Sequence, residues 1–212
     1  MNQKRLCSWI LTAGMAVVLV SAGGCHDVHQ CPILQGITGW RIPAPLPPEG
    51  RTYTVVGKRE GIRFFIIKYT NNLYRAGDIR SAKGAEALKQ LGIKTIIATT
   101  TSNKQRTMAK DYGLKLVEIP FGWSDMSGGD LREFLRAVDA GPEPVCVISR
   151  TGTLRAGILL AHYRVHRQGW TVDEALNEYY RLEANYFDAV TLVKVLKENA
   201  PDKNVKESKS AL

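Results

Sequence analysis

Apolar positions recur along the chain at two alternating spacings, and each spacing predicts a different kind of element. Runs that are β-branched, apolar or alternating predict strands at 63–69, 93–98, 114–119 and 144–148, of which 93–98 is expected to be buried. Apolar residues at helical spacing predict helices between Ser81 and Gly92, at 103–112, 131–140 and 155–168, from Thr171 onwards, and at 186–199. Strands that alternate with helices predict an α/β domain with a central, mostly parallel sheet flanked by helices.

Capping residues indicate where two of these helices begin. Asp130 is predicted to be the N-cap of the helix that starts at Leu131, since an aspartate side chain accepts hydrogen bonds from first-turn N–H groups. Thr171 and Glu174 have the Thr-x-x-Glu spacing of a capping box.

The first 25 residues follow a different pattern, which is typical of a secretory signal. Lys4 and Arg5 precede an apolar run at 10–20, and small residues then lead directly to Cys25. Small residues followed by cysteine resemble a bacterial lipobox, although Ala22 stands where that pattern favours leucine. The resemblance implies a signal peptide at 1–24 and lipidation of Cys25. Ordinary cleavage or an uncleaved anchor is the alternative, and each of these predicts export to the periplasm or cell envelope.

Residues 25–50 predict a tether, because five prolines interrupt them and no period is sustained. His26, His29 and Cys31 within this segment fit no standard metal-ligand spacing. The lysine-rich segment 201–212 is predicted to be a flexible tail. The globular domain is therefore expected at 51–200.

Composition and charge narrow the function. Of the 212 residues, 44% are hydrophobic and 23% are charged, which excludes a mostly disordered chain. Without residues 1–24 the chain keeps 27 of its 29 basic residues against 20 acidic ones, a net charge of +7. No basic run is interleaved with aromatic residues, so nucleic acid is not an expected partner. An anionic ligand or membrane surface fits an exported protein better, and a solvated basic surface is the alternative.

The segment 144–157 carries the clearest chemistry, because an apolar strand runs through a tight turn into a helix. Such a turn points backbone N–H groups at one spot in front of a helix N-terminus and so forms an anion site. Gly152 allows a backbone angle that other residues resist, and Arg155 is placed to hold two oxygens of a tetrahedral anion. The predicted anion-binding residues are Ser149, Arg150, Thr151, Gly152, Thr153, Leu154 and Arg155.

This strand, loop and helix resemble the signature of the cysteine-dependent tyrosine and dual-specificity phosphatases, which is His-Cys-x5-Arg. Gly152 and Arg155 match it, and the segments at 73–77, 91–97, 119–120 and 170–175 are similar to the bacterial branch of that family. The resemblance covers about residues 62–185. It implies the dual-specificity phosphatase fold and a phosphate-binding loop at 149–155.

The departures from the signature fall on its catalytic positions. Ser149 stands where the family has its nucleophilic cysteine, Ile148 replaces the preceding histidine, and Ala156 replaces the hydroxyl residue after the arginine. A serine hydroxyl is much harder to ionise than a thiol and needs an adjacent base, which Ile148 is not. Cys146 lies within the apolar strand and is expected to be a small buried residue rather than a nucleophile.

The family's general acid is an aspartate on the loop that precedes the signature strand and its preceding helix. Asp125 is the better candidate for this role, and Asp130 is the other. Either is equally well explained without chemistry, Asp125 as a polar loop residue and Asp130 as a helix cap. His162 and His166 are four residues apart but have no third ligand, so packing or surface positions are expected, and no metal or cofactor is implied.

Three functions remain open. The first is a pseudophosphatase that binds a phosphorylated ligand or partner through the loop. The second is a working phosphatase in which Ser149 attacks phosphorus or Asp125 directs a water, with Arg155 stabilising the transition state. The third is a scaffold whose loop binds nothing.

Overall fold

A computed structural model describes residues 53–122, 124–182 and 186–201. Within these ranges the strands are β1 (Thr54–Lys58), β2 (Phe65–Lys68), β3 (Leu73–Ala76), β4 (Thr95–Ala98), β5 (Lys115–Glu118) and β6 (Val145–Ile148). The helices are α1 (Ala82–Gln90), α2 (Asn103–Asp111), α3 (Gly128–Ala140), α4 (Leu154–Gln168), α5 (Val172–Arg181) and α6 (Tyr186–Glu198). The predicted signal peptide, Cys25, the proline-rich segment, Trp123 and the tail from 202 onwards lie outside the described residues.

The strands form one sheet in the order β1-β2-β3-β6-β4-β5. The pairs β1–β2 and β2–β3 are antiparallel, whereas β3–β6, β6–β4 and β4–β5 are parallel. The predicted mostly parallel α/β sheet is therefore confirmed. Ile148 at the end of β6 is in register with Ala76 on one side and Ala98 on the other. The loops that leave these three strands consequently emerge side by side at one edge of the sheet.

Helices cover both faces of the sheet, and each face has its own apolar core. Side chains alternate along β6, so that Val147 contributes to the core beneath α3, α4, α5 and α6, whereas Ile148 contributes to the core beneath α1 and α2. Short strands that are buried on both faces explain why the segments at 93–98 and 144–148 are almost continuously apolar.

The structure corrects three predictions made from the sequence. No strand was expected at 73–76, where the structure has β3, because this strand is only four residues long and contains Arg75. Strand β1 precedes the first predicted strand; it was missed because it is an edge strand with an irregular register between Val55 and Gly57 and an exposed burial pattern. Asp130 is not an N-cap. Helix α3 begins at Gly128, Ser127 is its N-cap, and Asp130 is the third helical residue of a capping box. The Thr171–Glu174 capping box of α5 is confirmed.

No helix among the described residues is both long enough and apolar enough to cross a membrane.

Candidate anion-binding site

The loop between β6 and α4 is held against the end of β3 by a close backbone contact. Gly152 has a φ of +78°, in the left-handed region that favours glycine. A Cβ atom at Gly152 would lie 2.6 Å from both the carbonyl carbon of Ala76 and the nitrogen of Gly77. Glycine is therefore required here for both backbone angle and space, and the contact fixes the path of the loop.

Ser149, the first loop residue, is turned into its own loop. Its side-chain oxygen accepts a hydrogen bond of 3.0 Å from the N–H of Gly152, and only 2% of the residue is exposed. In the described part of the chain, no carboxylate or imidazole is hydrogen-bonded to this oxygen. The hydroxyl thus stabilises the turn, and the described residues provide no base to ionise it.

The N-terminus of α4 is left without a side-chain cap. Its N-cap Thr153 makes no capping hydrogen bond, and its hydroxyl lies 2.8 Å from that of Thr151 instead. Ser102, Ser127 and Thr171 each cap their helices, whereas Ser81, at the N-cap of α1, makes no such bond either. The first N–H groups of a helix have no intrahelical acceptor, so those of α4 remain available, together with the positive end of the helix dipole, to an anion in front of the loop.

Arg155 connects this loop to the segment before α3. It is the second residue of α4 and half-buried, and its Nη1 donates a 3.2 Å hydrogen bond to the carbonyl of Phe121. Burial lowers the pKa of Arg155, the neighbouring charge of Arg150 lowers it further, and Asp125 acts in the opposite direction. Arg150, Arg155 and Asp125 are therefore close enough to affect one another electrostatically.

The two candidate acids have different surroundings. The N–H and the hydroxyl of Ser127 each donate a 2.7 Å hydrogen bond to Asp130, so capping accounts for this carboxylate. Asp125 is exposed and accepts a hydrogen bond from the N–H of Gly122 within the same segment. Of the two carboxylates, only Asp125 contributes to the electrostatic environment of Arg155.

Three other sequence candidates lie away from the loop opening. Cys146 is fully buried in the core beneath α1 and α2, and burial raises the pKa of its thiol to about 12. His162 is buried within α4, and the rings of His162 and His166 lie 4.0 Å apart. The packing interpretation therefore holds for His162. Among the described residues no group of three or more His, Cys, Asp or Glu side chains is arranged to hold a metal ion.

Sequence reasoning missed the partners that hold the loop in place. The backbone of Ala76 and Gly77 supports Gly152, and the carbonyl of Phe121 accepts from Arg155. A main-chain carbonyl has no sequence signature, so the contact between Arg155 and the carbonyl of Phe121 could not be predicted from the sequence. The described residues of the site supply donors for a tetrahedral anion and one flanking carboxylate, but no activated nucleophile.

Solved structures with the same fold were found, although no family model and no curated protein matches the chain. TpbA of P. aeruginosa is 20% identical, with a TM-score of 0.57 over 69% of this chain and 91% of that one. A Cys-to-Ser variant of TpbA in complex with phosphotyrosine is 22% identical, with a TM-score of 0.55 over 62% of this chain and 82% of that one. The core catalytic domain of the S. cerevisiae PP-IP phosphatase Siw14, in complex with citrate, is 20% identical, with a TM-score of 0.51 over 79% of this chain and 95% of that one. At these identities the likeness establishes the fold, which is that of the tyrosine and dual-specificity phosphatases.

Proposed function

We propose that this chain is an exported, lipid-anchored pseudophosphatase that binds a phosphorylated ligand or partner in the loop 149–155 without hydrolysing it. The observation that carries the proposal is the state of Ser149. This residue is buried and its side-chain oxygen accepts a hydrogen bond from the N–H of Gly152, at the position where a nucleophile is expected.

Anion binding is supported by two kinds of donor at the start of α4. These are the first N–H groups of α4, which no side chain caps, and the guanidinium of Arg155. Arginine binds phosphate oxygens in a bidentate way, and a helix N-terminus favours negative charge. Arg150, which is exposed beside Arg155, adds a second positive charge at the rim.

The absence of hydrolysis is supported by the chemistry of a serine without a base. Attack on phosphorus requires an ionised or activated nucleophile, and a hydroxyl is activated by an adjacent base such as histidine. Ile148 precedes Ser149 and is buried in the core beneath α1 and α2, so it supplies neither a proton acceptor nor a charge. A neutral hydroxyl also avoids placing a negative charge next to a bound dianion, which favours retention of the ligand.

The structural neighbours suggest the class of ligand. The TpbA variant that contains a cysteine-to-serine change is described with phosphotyrosine, and Siw14 is described as a phosphatase of PP-IP with citrate bound. We therefore propose that the ligand is a phosphate monoester on a protein or a small molecule. The proposed export and lipid anchor are supported by the sequence pattern that ends at Cys25.

Hydrolysis and binding are measured together to test this function. The full-length chain, purified in detergent, is incubated with p-nitrophenyl phosphate, and its affinity for inorganic phosphate is measured by titration calorimetry. Arg155→Ala removes the guanidinium from the site, and Arg136→Ala removes the same charge from the exposed surface of α3. We expect no turnover above that of Arg155→Ala, and phosphate binding that is lost in Arg155→Ala but kept in Arg136→Ala.

Two results would overturn the proposal. Turnover that Arg155→Ala abolishes would make the chain an active phosphatase of the non-cysteine type, with Ser149 or Asp125 as the next residue to replace. Neither turnover nor phosphate binding in the parent chain would instead indicate a scaffold with an unused loop.

A further inference from the structure

Behind the anion site, between the sheet and helices α4 and α5, the structure buries a cluster of charged side chains. Arg75 on β3, Arg164 on α4 and Glu178 on α5 are each at most 2% exposed. Arg164 makes a bidentate ion pair with Glu178 at 2.9 and 2.7 Å. Its guanidinium also lies over the rings of Tyr69 and Trp170 at 4.8 and 4.4 Å from their centroids. The charge of Arg164 is thus matched within the cluster.

The charge of Arg75 is not matched in the same way. Its guanidinium donates to the hydroxyl of Tyr69 at 3.1 Å and to the carbonyl of Leu182 at 3.2 Å, and both acceptors are neutral. No carboxylate among the described residues lies within ion-pair distance of Arg75. Two buried cations therefore face one buried anion. Glu178 also feels the positive charge of Arg75, so one carboxylate is shared between two guanidinium groups. The cluster keeps a net positive charge, which is costly to bury.

Arg75 packs against the helix that begins at the candidate anion-binding loop. Its Nη1 is 3.1 Å from the place where a Cβ on Gly157 would lie, so the guanidinium packs against the first turn of α4. Gly157 follows the first residue of α4 by three positions, which is about 4.5 Å along a helix axis. Two residues after Arg75, the backbone of Gly77 supports Gly152 in the loop. The guanidinium is consequently about 10 Å from an anion held in front of α4.

We propose that Arg75 is a buried electrostatic determinant of affinity at this site: its positive charge attracts the bound anion through the first turn of α4 without touching it. The inference rests on the proposed function, because it assumes that the loop binds an anion. Between charges inside a protein the attraction at such a distance remains appreciable, since little water screens it. Glu178 opposes the effect, because its negative charge belongs to the same cluster.

Replacements that change the cluster's charge in opposite directions provide the test. The affinity of the full-length chain for inorganic phosphate is measured by calorimetry at pH 8 and low salt, and stability is measured by urea unfolding without phosphate. Arg75→Met removes a positive charge and keeps an unbranched apolar stem, and we expect Kd to rise at least about fivefold. Arg75→Lys keeps the charge, and we expect Kd to stay within about twofold of the parent.

Glu178→Gln separates electrostatics from structure. It removes the negative charge, keeps an acceptor for Arg164, and breaks a buried ion pair, so the fold becomes less stable. We nevertheless expect phosphate to bind more tightly, with Kd lowered at least about threefold. A role limited to packing would weaken both stability and binding in Arg75→Met and in Glu178→Gln alike.

The inference is overturned if Glu178→Gln leaves Kd unchanged or raises it, and this holds even if Arg75→Met does not fold. It is also overturned if Arg75→Lys weakens binding as much as Arg75→Met does. These failures leave the proposed function intact as long as Arg155→Ala abolishes binding. If the parent chain does not bind phosphate, the proposed function and this inference both fail.

Discussion

At the scale of single residues, the hydrogen-bond donors around Ser149 favour a negative charge that its hydroxyl does not carry. Gly152 donates its N–H to the side-chain oxygen of Ser149, and the guanidinium of Arg155 lies at the start of the same helix. Such donors stabilise an anion at position 149, yet a hydroxyl is too weak an acid to form one near neutral pH. A thiol in the same place would ionise much more readily, because thiols begin from a pKa of about 8.5.

Ser149→Cys tests whether the loop still has the electrostatics of a thiolate site. We expect the new thiol to have a pKa below about 8.5, because the N–H of Gly152, the α4 N-terminus and Arg155 stabilise its anion. The thiolate is followed by its absorbance at 240 nm against pH, as the difference between variant and parent chains. The parent's own thiols cancel in the difference, and Cys146, whose pKa burial raises to about 12, does not titrate in the range measured.

Adding Arg155→Ala to this variant provides the control. We expect the thiol pKa to move back up once the guanidinium is gone. An ordinary or raised thiol pKa in Ser149→Cys would instead show that burial outweighs the donors, and would count against anion binding at this loop.

The residues inside the loop were predictable from sequence because their relations are local. Gly152 and Arg155 are three positions apart, and a strand–turn–helix pattern is enough to place both in front of a helix N-terminus. Arg75 was not identified as part of any site, because no strand was predicted at 73–76. Its acceptor on Leu182 lies 107 positions away, a relation that only the folded chain reveals.

At the scale of elements, helix α4 runs from the candidate anion-binding loop to a pair of neighbouring histidines, of which His162 is buried and His166 half-buried. His162 is 1% exposed, and neither of its ring nitrogens has a hydrogen-bond partner among the described residues. Burial, and then the nearby His166 and Arg167, lower the pKa of His162 to about 3. The helix therefore packs well only when this imidazole is neutral.

Because the pKa of His162 is low in the folded chain, we expect acid to destabilise the fold. Below pH 6.5 the unfolded chain protonates this imidazole, whereas the folded chain keeps it neutral until pH about 3, so the unfolded state binds more protons. Stability contributed by His162 is full above pH 6.5 and is lost as the pH falls towards 3. Between pH 7.0 and 4.5 we expect the free energy of unfolding to fall by roughly 2 kcal/mol on this account, measured by urea unfolding.

The matched variant for this measurement is His162→Leu, since the carboxylates are the same in both chains. We expect the variant to lose less stability than the parent over the same pH interval, by the roughly 2 kcal/mol assigned to His162. Equal losses in the two chains would mean that the imidazole is protonated, or solvated, in the folded state.

The ends of elements were predicted less well than the elements themselves, and α3 shows why. Gly128 and Gly129 are poor helix formers, so their composition favoured a start at Leu131. The capping box between Ser127 and Asp130 compensates for them and starts the helix three residues earlier. The Ser-x-x-Asp spacing was present in the sequence, but it competed with the propensity of the two glycines.

At the scale of the whole molecule, the sequence predicted the layers but not the order of the strands. Alternating strands and helices were enough to indicate a parallel α/β sheet. The insertion of β6 between β3 and β4 was not derivable from spacing, because it depends on pairings between segments about 50 to 70 positions apart. This insertion brings Gly77 against Gly152, so the site depends on the strand order.

The whole chain also predicts where the molecule is found. The sequence pattern that ends at Cys25 is the basis of the proposed lipid anchor, and the net charge of +7 that remains without residues 1–24 favours contact with an anionic membrane surface. We expect the full chain, expressed in a bacterial host with an alkyne fatty acid, to be labelled and to sediment with membranes. Cys25→Ala should lose the label, whereas Cys31→Ala, six residues away, should keep it. A label that survives in Cys25→Ala would place the attachment elsewhere, and no label in the parent would leave ordinary cleavage or an uncleaved anchor as the means of export.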